Sequence, residues 1–406
     1  MSDDFRAGLI RWLDQHGPRA RAGGGADAEV DTRPLAEQKA FQAALHDAGY
    51  AGITWPKRYG GQGLTNGELL VFREVARDYD LPVGAFVIGL GMPGETILEC
   101  GTEEQKLRYL PKMLRGEEIW CQLFSEPGAG SDVAGLRMSA VREGGGWVLN
   151  GQKIWTTGAQ FSDYGVVLAR TDPTVAKHRG LTMFIVDMHA PGVTVRPLRV
   201  ATGESPFNEV FLDDVRIPAD AVLGEVGGGW AVAVVMLRHE RESLGTIDRS
   251  RGNPLSFDEL SAAAAERAGS AALPDGHRHA LASLYTRETA VRLLGRLLRE
   301  EQQAGRDVGA RGAVAKLAGA ELGHFAGEVA LRILGAELAA PATPRAAAVV
   351  KAAITARGMS IAGGTNEIQR NVIGERILGL PKDPGIDRET PFNQLRAGTT
   401  GVERRN

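Results

Sequence analysis

The hydrophobic periodicity of this chain changes twice along its length, and this change limits the possible folds more than any other feature. Residues 35–115 carry apolar side chains three or four positions apart, which is the spacing of amphipathic helices. Residues 119–226 contain short β-branched and aromatic runs separated by Gly, Pro, Asn and Asp, a pattern typical of strands. The helical spacing returns in residues 230–380. The sequence therefore predicts an α+β multidomain protein in which a β-domain lies between two helical domains.

The length of the chain also favours several domains, because 406 residues exceed what one hydrophobic core usually holds. We predict an N-terminal α-helical domain at residues 1–118 and a central β-domain at 119–227, built as a small antiparallel barrel or sandwich. A C-terminal helix bundle is predicted at 228–383. Residues 384–406 are polar and rich in Pro and Gly, and we expect them to form a surface extension.

The composition argues against several classes of function. The formal net charge of −3 does not suit a nucleic-acid-binding surface. Cys100 and Cys121 have no CxxC partner, and the eight histidines lack the spacing of metal ligands, so we expect no metal site. The charged N-terminus has no apolar signal core, and no run of eighteen apolar residues is present. We therefore expect a cytoplasmic protein without membrane partners.

The first informative motif is the Gly-rich segment at residues 122–135. Gly128 and Gly130 remove side chains, so the backbone can approach a ligand closely, and Ser125 and Ser131 add hydroxyl groups. The glycine spacing does not match a dinucleotide-binding fingerprint, and strand-like sequence follows where a helix would be required. The alternative is a plain turn between strands.

The second motif is the segment Asn150-Gly-Gln-Lys-Ile-Trp-Thr-Thr-Gly158. Asn150-Gly151 predicts a hairpin turn. Beyond the turn, Trp155 supplies a flat apolar face and Thr157 a hydroxyl group, so a planar heterocycle could stack on one and bond to the other. The alternative is an ordinary hairpin with a tryptophan in the core.

The third motif, at residues 361–374, has two glycines before Thr365, which can cap the helix that follows. The N-terminus of a helix binds anions and polar ligand atoms. The alternative is a well-capped helix without a ligand.

These three motifs, in this order, resemble the acyl-CoA dehydrogenase family over residues 52–380, including its Gly-Gly-Thr-Asn-Glu-Ile-Gln-Arg segment of bacterial type. The resemblance implies the fold of that family, with an N-terminal helical domain, a central antiparallel β-barrel and a C-terminal four-helix bundle. It also implies FAD as the cofactor, an acyl-CoA thioester as the substrate, electron-transfer flavoprotein as the electron acceptor, and a homodimer or homotetramer.

The resemblance assigns contacts to individual residues. Phe124 and Ser125 would contact the flavin ring, and Trp155 and Thr157 would flank it. Ser131 would contact FAD or the CoA moiety of the substrate. Two more residues would reach the adenosine or pyrophosphate part of FAD: Thr365 and Glu367.

The catalytic base departs from the commonest pattern of the family. Many members carry a Glu just before the Gly-Thr of the last motif, where this chain has Gly363. A minority, including isovaleryl- and long-chain-type dehydrogenases, place the Glu on the first helix of the C-terminal bundle. Glu240, followed by Arg241, matches that position. By composition alone, the charge run at 238–242 indicates a solvated helix face, whereas the resemblance makes Glu240 the base and Arg241 a substrate contact.

The implied reaction is FAD-dependent α,β-dehydrogenation of an acyl-CoA, or carrier-bound acyl, thioester to the trans-2-enoyl thioester. Residues 246–281 lack the Arg and Phe-Gly pair with which many members contact a neighbouring subunit's FAD. Two alternatives stay open. One is a flavin oxidase or monooxygenase of the same fold, and the other is a non-catalytic FAD-binding partner subunit of a heteromeric dehydrogenase. The acyl chain is not fixed by the sequence.

Overall fold

A computed structural model describes residues 2–19, 33–246, 253–304, 306, 308–382 and 389–395. By their contacts these residues form two compact units. The first runs to Glu240 and takes in the C-terminal residues 389–395, and the second runs from Arg241 to Lys382. The domain borders expected near residues 118 and 227 stay predictions. In the described part of the chain, none of the helices is both long and apolar enough to cross a membrane.

The first unit begins with helices whose starts are fixed by local capping. Thr65 and Glu68 form a capping box at one helix, and Thr102 and Gln105 form another, as the spacing of the latter pair indicates in the sequence. The apolar faces of the first three helices meet around Leu13, among other side chains. The helices are α1 (Ser2–His16), α2 (Leu35–Asp47), α3 (Asn66–Ala76), α4 (Val87–Gly89), α5 (Glu95–Cys100) and α6 (Glu103–Arg115). A further helix, α7 (Gly229–Thr246), begins in the first unit, and its residues after Glu240 belong to the second.

The central sheet of the first unit follows α6. Its strands are β1 (Trp120–Leu123), β2 (Ser139–Glu143), β3 (Gly146–Thr157), β4 (Tyr164–Arg170), β5 (Leu181–Asp187), β6 (Val193–Leu198), β7 (Phe207–Ile217) and β8 (Val222–Leu223). They are ordered β6-β7-β3-β2-β4-β5-β8, and β1 pairs with β4. The pairs β1–β4 and β2–β4 are parallel and the others are antiparallel. The sheet is therefore mixed rather than wholly antiparallel, because β1 pairs with β4 and not with β2, the strand that follows it in the sequence.

The second unit is a bundle of amphipathic helices. Its core includes Leu284 of one long helix, Val329 and Ile333 of the next, and Val349 of a third. The helices are α8 (Phe257–Ala268), α9 (Asp275–Gln303), α10 (Gly312–Leu334), α11 (Pro344–Gly358) and α12 (Asn366–Arg376). The succession of helices, sheet and helix bundle confirms the fold class predicted from the periodicity of the sequence.

Candidate active site

The Gly-rich loop leaves β1 at Phe124 and folds into a tight turn. The backbone N–H and C=O groups of Glu126 and Ala129 bond to each other reciprocally, both at 3.0 Å. Neither Gly128 nor Gly130 has φ in the left-handed region, and a Cβ built on either of them would meet no atom within 4 Å. Neither backbone conformation nor packing within the described chain therefore requires these glycines. They keep the loop backbone open to approach from outside.

A buried ion pair holds this loop against the sheet. The Nζ atom of Lys153, on β3, donates to Glu126 Oε1 at 2.9 Å and to the carbonyl oxygen of Phe124 at 3.0 Å. The Glu126 carboxylate also accepts from the backbone N–H groups of Arg137, at 2.7 Å, and Met138, at 2.9 Å. Lys153 is fully buried, and this burial lowers the pKa of its ammonium group to about 8, although the neighbouring Glu126 carboxylate acts to raise it. One ammonium group thus joins β3 to the loop after β1.

Neither member of this pair is singled out in the sequence as a site residue. Burial along β3 does not alternate, because Trp147, Val148 and Leu149 are all buried. The pairing of β3 with β7 also shifts register between Leu149 and Gly151. Alternation in the sequence therefore gave no signal that Lys153 lies inside the protein, where a charge requires a partner.

Trp155 projects from an irregular part of β3. Its φ is +63°, and the pairing of β3 with β7 shifts register between Lys153 and Thr156. A bulky residue with positive φ is a backbone outlier that costs about 1–3 kcal/mol, and such outliers cluster at ligand sites. The indole is 55% exposed and touches Phe207 edge-on. The Trp155 indole is therefore held outward on a strained backbone, and its packing within the first unit does not explain this strain.

The first two motifs meet in the structure. The backbone N–H of Ile154 donates to the carbonyl oxygen of Ser125 at 2.9 Å, so the start of the Gly-rich loop lies beside the part of β3 that contains Trp155. Phe124 is buried, Ser125 and Thr157 are half-buried, and Ser131 is exposed. The hairpin predicted at Asn150-Gly151 is wrong, because this pair lies inside the long strand β3, and the turn between β2 and β3 is formed by residues 144–145 instead.

Glu240 lies on α7 beside β1. The Nε2 atom of Gln122 donates to Glu240 Oε2 at 3.5 Å, and Gln122 stands two residues before Phe124. The neighbouring Arg238 and His239 both contact Glu99 of α5 instead. The charge run is therefore not a uniformly solvated face, because Glu240 is half-buried and contacts the strand that leads into the Gly-rich loop. The side chain of Arg241 lies outside the described residues.

The third motif lies in the second unit, which is described by itself. Gly363 and Gly364 have φ of +64° and +87°, and the Thr365 hydroxyl accepts from the N–H of Ile368 at 3.2 Å, capping α12. Glu367 is exposed in the first turn of α12, and the backbone N–H at this helix start lowers the pKa of its carboxyl group. The predicted cap is confirmed. The contribution of Thr365 and Glu367 to a site with the first two motifs stays a prediction.

Two cavities lie near the sheet. One of about 270 Å³ is bordered by the Gly-rich loop and β3, including Gly128, Arg137 and Gln152. A larger one, of about 480 Å³, is lined by Val141 and Arg179 among others. None of the predicted site residues lines either cavity, but the smaller one is bordered by residues of the first two motifs and the larger one is not.

Comparison with known proteins identifies the family. The sequence patterns of three domains match this chain: “Acyl-CoA dehydrogenase, N-terminal domain” at residues 22–117, the “middle domain” at 121–215 and the “C-terminal domain” at 227–378. The chain belongs to the acyl-CoA dehydrogenase family. The resemblance found in the sequence is thereby confirmed, and the chain is an enzyme of the acyl-CoA dehydrogenase class.

Several members of the family are similar over nearly the whole chain. Acyl-CoA dehydrogenase FadE34 of Mycobacterium tuberculosis is 39% identical over 93% of this chain and 53% of its own length. The chain thus spans about half the length of FadE34. Acyl-CoA dehydrogenase IpdE1 of the same organism is 34% identical over 94% of this chain and 98% of its own length.

Solved structures also superpose well on the chain. The Tcur3481-Tcur3483 steroid ACAD is 30% identical, with a TM-score of 0.76 over 94% of this chain and 98% of its own. The ChsE4-ChsE5 complex from Mycobacterium tuberculosis is 28% identical, with a TM-score of 0.73 over 94% and 98%.

Membership of the acyl-CoA dehydrogenase family implies FAD as the cofactor, and the first unit fits this group. The loop backbone is open at Gly128 and Gly130, and an exposed indole is held beside it at Trp155. A planar ring system that carries polar edges suits such a combination of flat apolar surface, backbone groups and hydroxyls.

Proposed function

We propose that this acyl-CoA dehydrogenase carries out FAD-dependent α,β-dehydrogenation of an acyl-CoA thioester, with Glu240 as the catalytic base. One observation carries the proposal: the Glu240 carboxylate lies 3.5 Å from Gln122, on the strand that delivers Phe124 and Ser125. The carboxylate at the base position that the resemblance implies thus lies next to the strand that leads to Phe124 and Ser125, two candidate flavin contacts.

The role of Glu240 follows from the chemistry of the substrate. A hydrogen on the carbon beside a thioester is a poor acid, so its removal needs a positioned base and stabilisation of the developing enolate. Partial burial favours the protonated form of a carboxyl group and makes its carboxylate a stronger base. Glu240 would take the α-proton, and FAD, when bound, supplies the acceptor for the hydride from the β-carbon. The product is the trans-2-enoyl thioester.

The backbone at Gly363 supports this choice of base. Its φ of +64° lies in the left-handed region, where a glutamate side chain would be strained. A base at the commoner family position would therefore require a different turn before α12.

The cofactor contacts are proposed on the same basis. Phe124, Ser125, Trp155 and Thr157 would hold the flavin ring, since the first two motifs lie side by side in the first unit. Ser131 would bind FAD or the CoA moiety. The remaining proposed contacts are Thr365 and Glu367 for the adenosine or pyrophosphate part and Arg241 for the substrate.

We further propose a steroid-bearing acyl thioester as the substrate class, with electron-transfer flavoprotein as the electron acceptor. The support for a steroid comes from the similar structure described as a steroid ACAD.

In an anaerobic titration, a steroid-side-chain acyl-CoA should bleach the bound flavin, and straight-chain acyl-CoAs of different lengths should bleach it more slowly. Equal or faster bleaching by the straight chains would contradict the steroid assignment. A protein that carries no FAD would contradict the reaction itself, and peroxide release in air would favour the oxidase alternative.

A second candidate is a partner subunit in a heteromeric dehydrogenase. Two similar solved structures bear two-component names, Tcur3481-Tcur3483 and ChsE4-ChsE5, and this chain spans about half the length of FadE34. A chain that bleaches only when it is co-expressed with a homologue would support this role.

The helix bundle carries an apolar stripe that suits either kind of assembly. On α9, Leu293 and Leu297 lie one turn apart and are 55% and 51% exposed, and Tyr285, about two turns before Leu293, is 53% exposed. Contiguous exposed apolar residues of this kind mark interfaces.

We expect Leu293→Glu combined with Leu297→Glu to convert an oligomer into monomers, because two carboxylates cannot be buried in an apolar interface without partners. Light scattering at micromolar concentration measures the change. Leu107→Glu is the matched control, since Leu107 is also 55% exposed but lies on α6 in the first unit. An unchanged oligomer in the double variant would show that this stripe is not the interface.

A further inference from the structure

The C-terminal residues 389–395 bond to the loop between β4 and β5, although composition predicts a polar surface extension there. Pro391 forms an isolated antiparallel bridge with Ala176. The backbone N–H of Phe392 donates to the carbonyl oxygen of Val175, and that of Asn393 to the carbonyl oxygen of Pro173, both at 2.9 Å. We call residues 389–395 the C-terminal clip.

The aromatic ring of the C-terminal clip covers a buried cation. The centroid of the Phe392 ring lies 3.4 Å from the Cζ atom of Arg170 and 5.5 Å from that of Arg137. Arg170 ends β4 and is only 5% exposed, and this burial lowers the pKa of its guanidinium group to about 10. A desolvated cation over an aromatic face is stabilised more strongly than an exposed one.

Arg170 in turn holds the end of the Gly-rich loop. Its Nη2 donates to the carbonyl oxygen of Ala134 at 2.6 Å and its Nε to that of Leu136 at 3.1 Å. The next two backbone N–H groups, of Arg137 and Met138, bond to the buried Glu126. The segment after Ser131 is thus fixed through its carbonyls by Arg170 and through its N–H groups by Glu126.

We propose that the C-terminal clip is a positioning element for the active site, in which Phe392 caps the Arg170 guanidinium and thereby fixes residues 134–138. The significance for the reaction rests on the proposed function, because Ser131, three residues before this segment, is a proposed contact of FAD or of the CoA moiety. Phe392 touches neither substrate nor cofactor in this proposal. It acts through Arg170, whose guanidinium would lose its aromatic cover and become open to water if the clip were absent.

Two shortened chains test the proposal with a matched control. A chain ending at Leu395 keeps the C-terminal clip, and a chain ending at Arg388 lacks it, while both lack residues 396–406. We expect the first apoprotein to bind added FAD as tightly as the full chain, by fluorescence titration. The second should bind FAD about tenfold more weakly, within the range that a desolvated cation–π contact supplies. At saturating FAD and acyl-CoA, the kcat of the chain ending at Arg388 should change little, because Glu240 is untouched. Its KM for acyl-CoA, measured at saturating FAD, should rise.

Point substitutions separate the cation–π contact from general packing. Phe392→Leu keeps an apolar side chain but has no aromatic face, so it should weaken FAD binding and speed amide hydrogen exchange at Arg137 and Met138 in the apoprotein. Phe392→Tyr keeps the ring and should behave like the parent. These full-length variants also decide the question if the chain ending at Arg388 does not fold.

The proposal is overturned if loss of the C-terminal clip or of the Phe392 ring leaves both FAD affinity and amide exchange in residues 134–138 unchanged. A lower melting temperature with both quantities unchanged would show a merely structural role and would also overturn it. A full chain that binds no FAD would contradict the proposed function instead, and the exchange comparison in the apoprotein would still decide whether the clip fixes the loop.

Discussion

Glu240→Gln is expected to give a folded, yellow protein whose flavin is reduced by acyl-CoA about 10²–10⁴-fold more slowly than in the parent. The amide is nearly isosteric with the carboxylate and can keep a hydrogen bond to Gln122, so fold and FAD binding should persist. It cannot accept the α-proton, however, and the enoyl product cannot form unless that proton is removed. Anaerobic stopped-flow absorbance at the flavin band measures the rate.

Glu242→Gln is the matched control for this variant. It changes the same residue type on α7, and two positions along a helix correspond to a rotation of about 200° about the helix axis. We expect near-parental rates. If Glu240→Gln reduces its flavin as fast as the parent, the base lies elsewhere and the site assignment is wrong.

Moving the carboxylate to the commoner family position is not expected to restore activity. In Glu240→Gly with Gly363→Glu, the new side chain would stand on a backbone with φ of +64°, where side chains are strained. Recovery of flavin reduction in this double variant would show that the turn before α12 can rearrange and that both positions serve one α-proton.

Lys153→Met is expected to lower the free energy of unfolding by about 3–5 kcal/mol, the usual consequence of removing one partner of a buried ion pair. Met has nearly the same length and leaves no large cavity, so the effect isolates the charge. The Glu126 carboxylate would stay buried, bonded to the N–H groups of Arg137 and Met138 but without a cation. Urea unfolding followed by circular dichroism measures the change, and FAD affinity should fall with it because Phe124 loses its bond to Nζ.

Two variants make this prediction specific. Glu126→Gln combined with Lys153→Met should be more stable than Lys153→Met alone, since it removes the uncompensated charge. Lys177→Met breaks a lysine pair of similar length, Nζ to Asp132 at 2.8 Å, but half of the Asp132 side chain is exposed, so about 0–1 kcal/mol is expected. Equal losses in Lys153→Met and Lys177→Met would contradict a special role for the buried pair.

The sequence by itself determined the features that depend on near neighbours. Helical and strand-like spacing fixed the order of helices, sheet and bundle, because periodicity is a property of consecutive residues. The caps at Thr102 and Thr365 were predictable for the same reason, since each joins residues three positions apart. Where a local rule failed, at Asn150-Gly151, the long pairing of β3 with β7 overrode the turn preference of the dipeptide.

Only the tertiary structure decided which charges and rings meet. Lys153 and Glu126 are distant in sequence, as are Glu240 and Gln122. Phe392, near the C-terminus, covers Arg170 at the end of β4. Composition alone made Glu240 part of a charge run and residues 389–395 part of a polar extension. Their actual surroundings depend on strand order, on the rotation of α7 about its axis and on where the chain returns to the sheet. These are set by the packing of the whole first unit, and no local pattern encodes them.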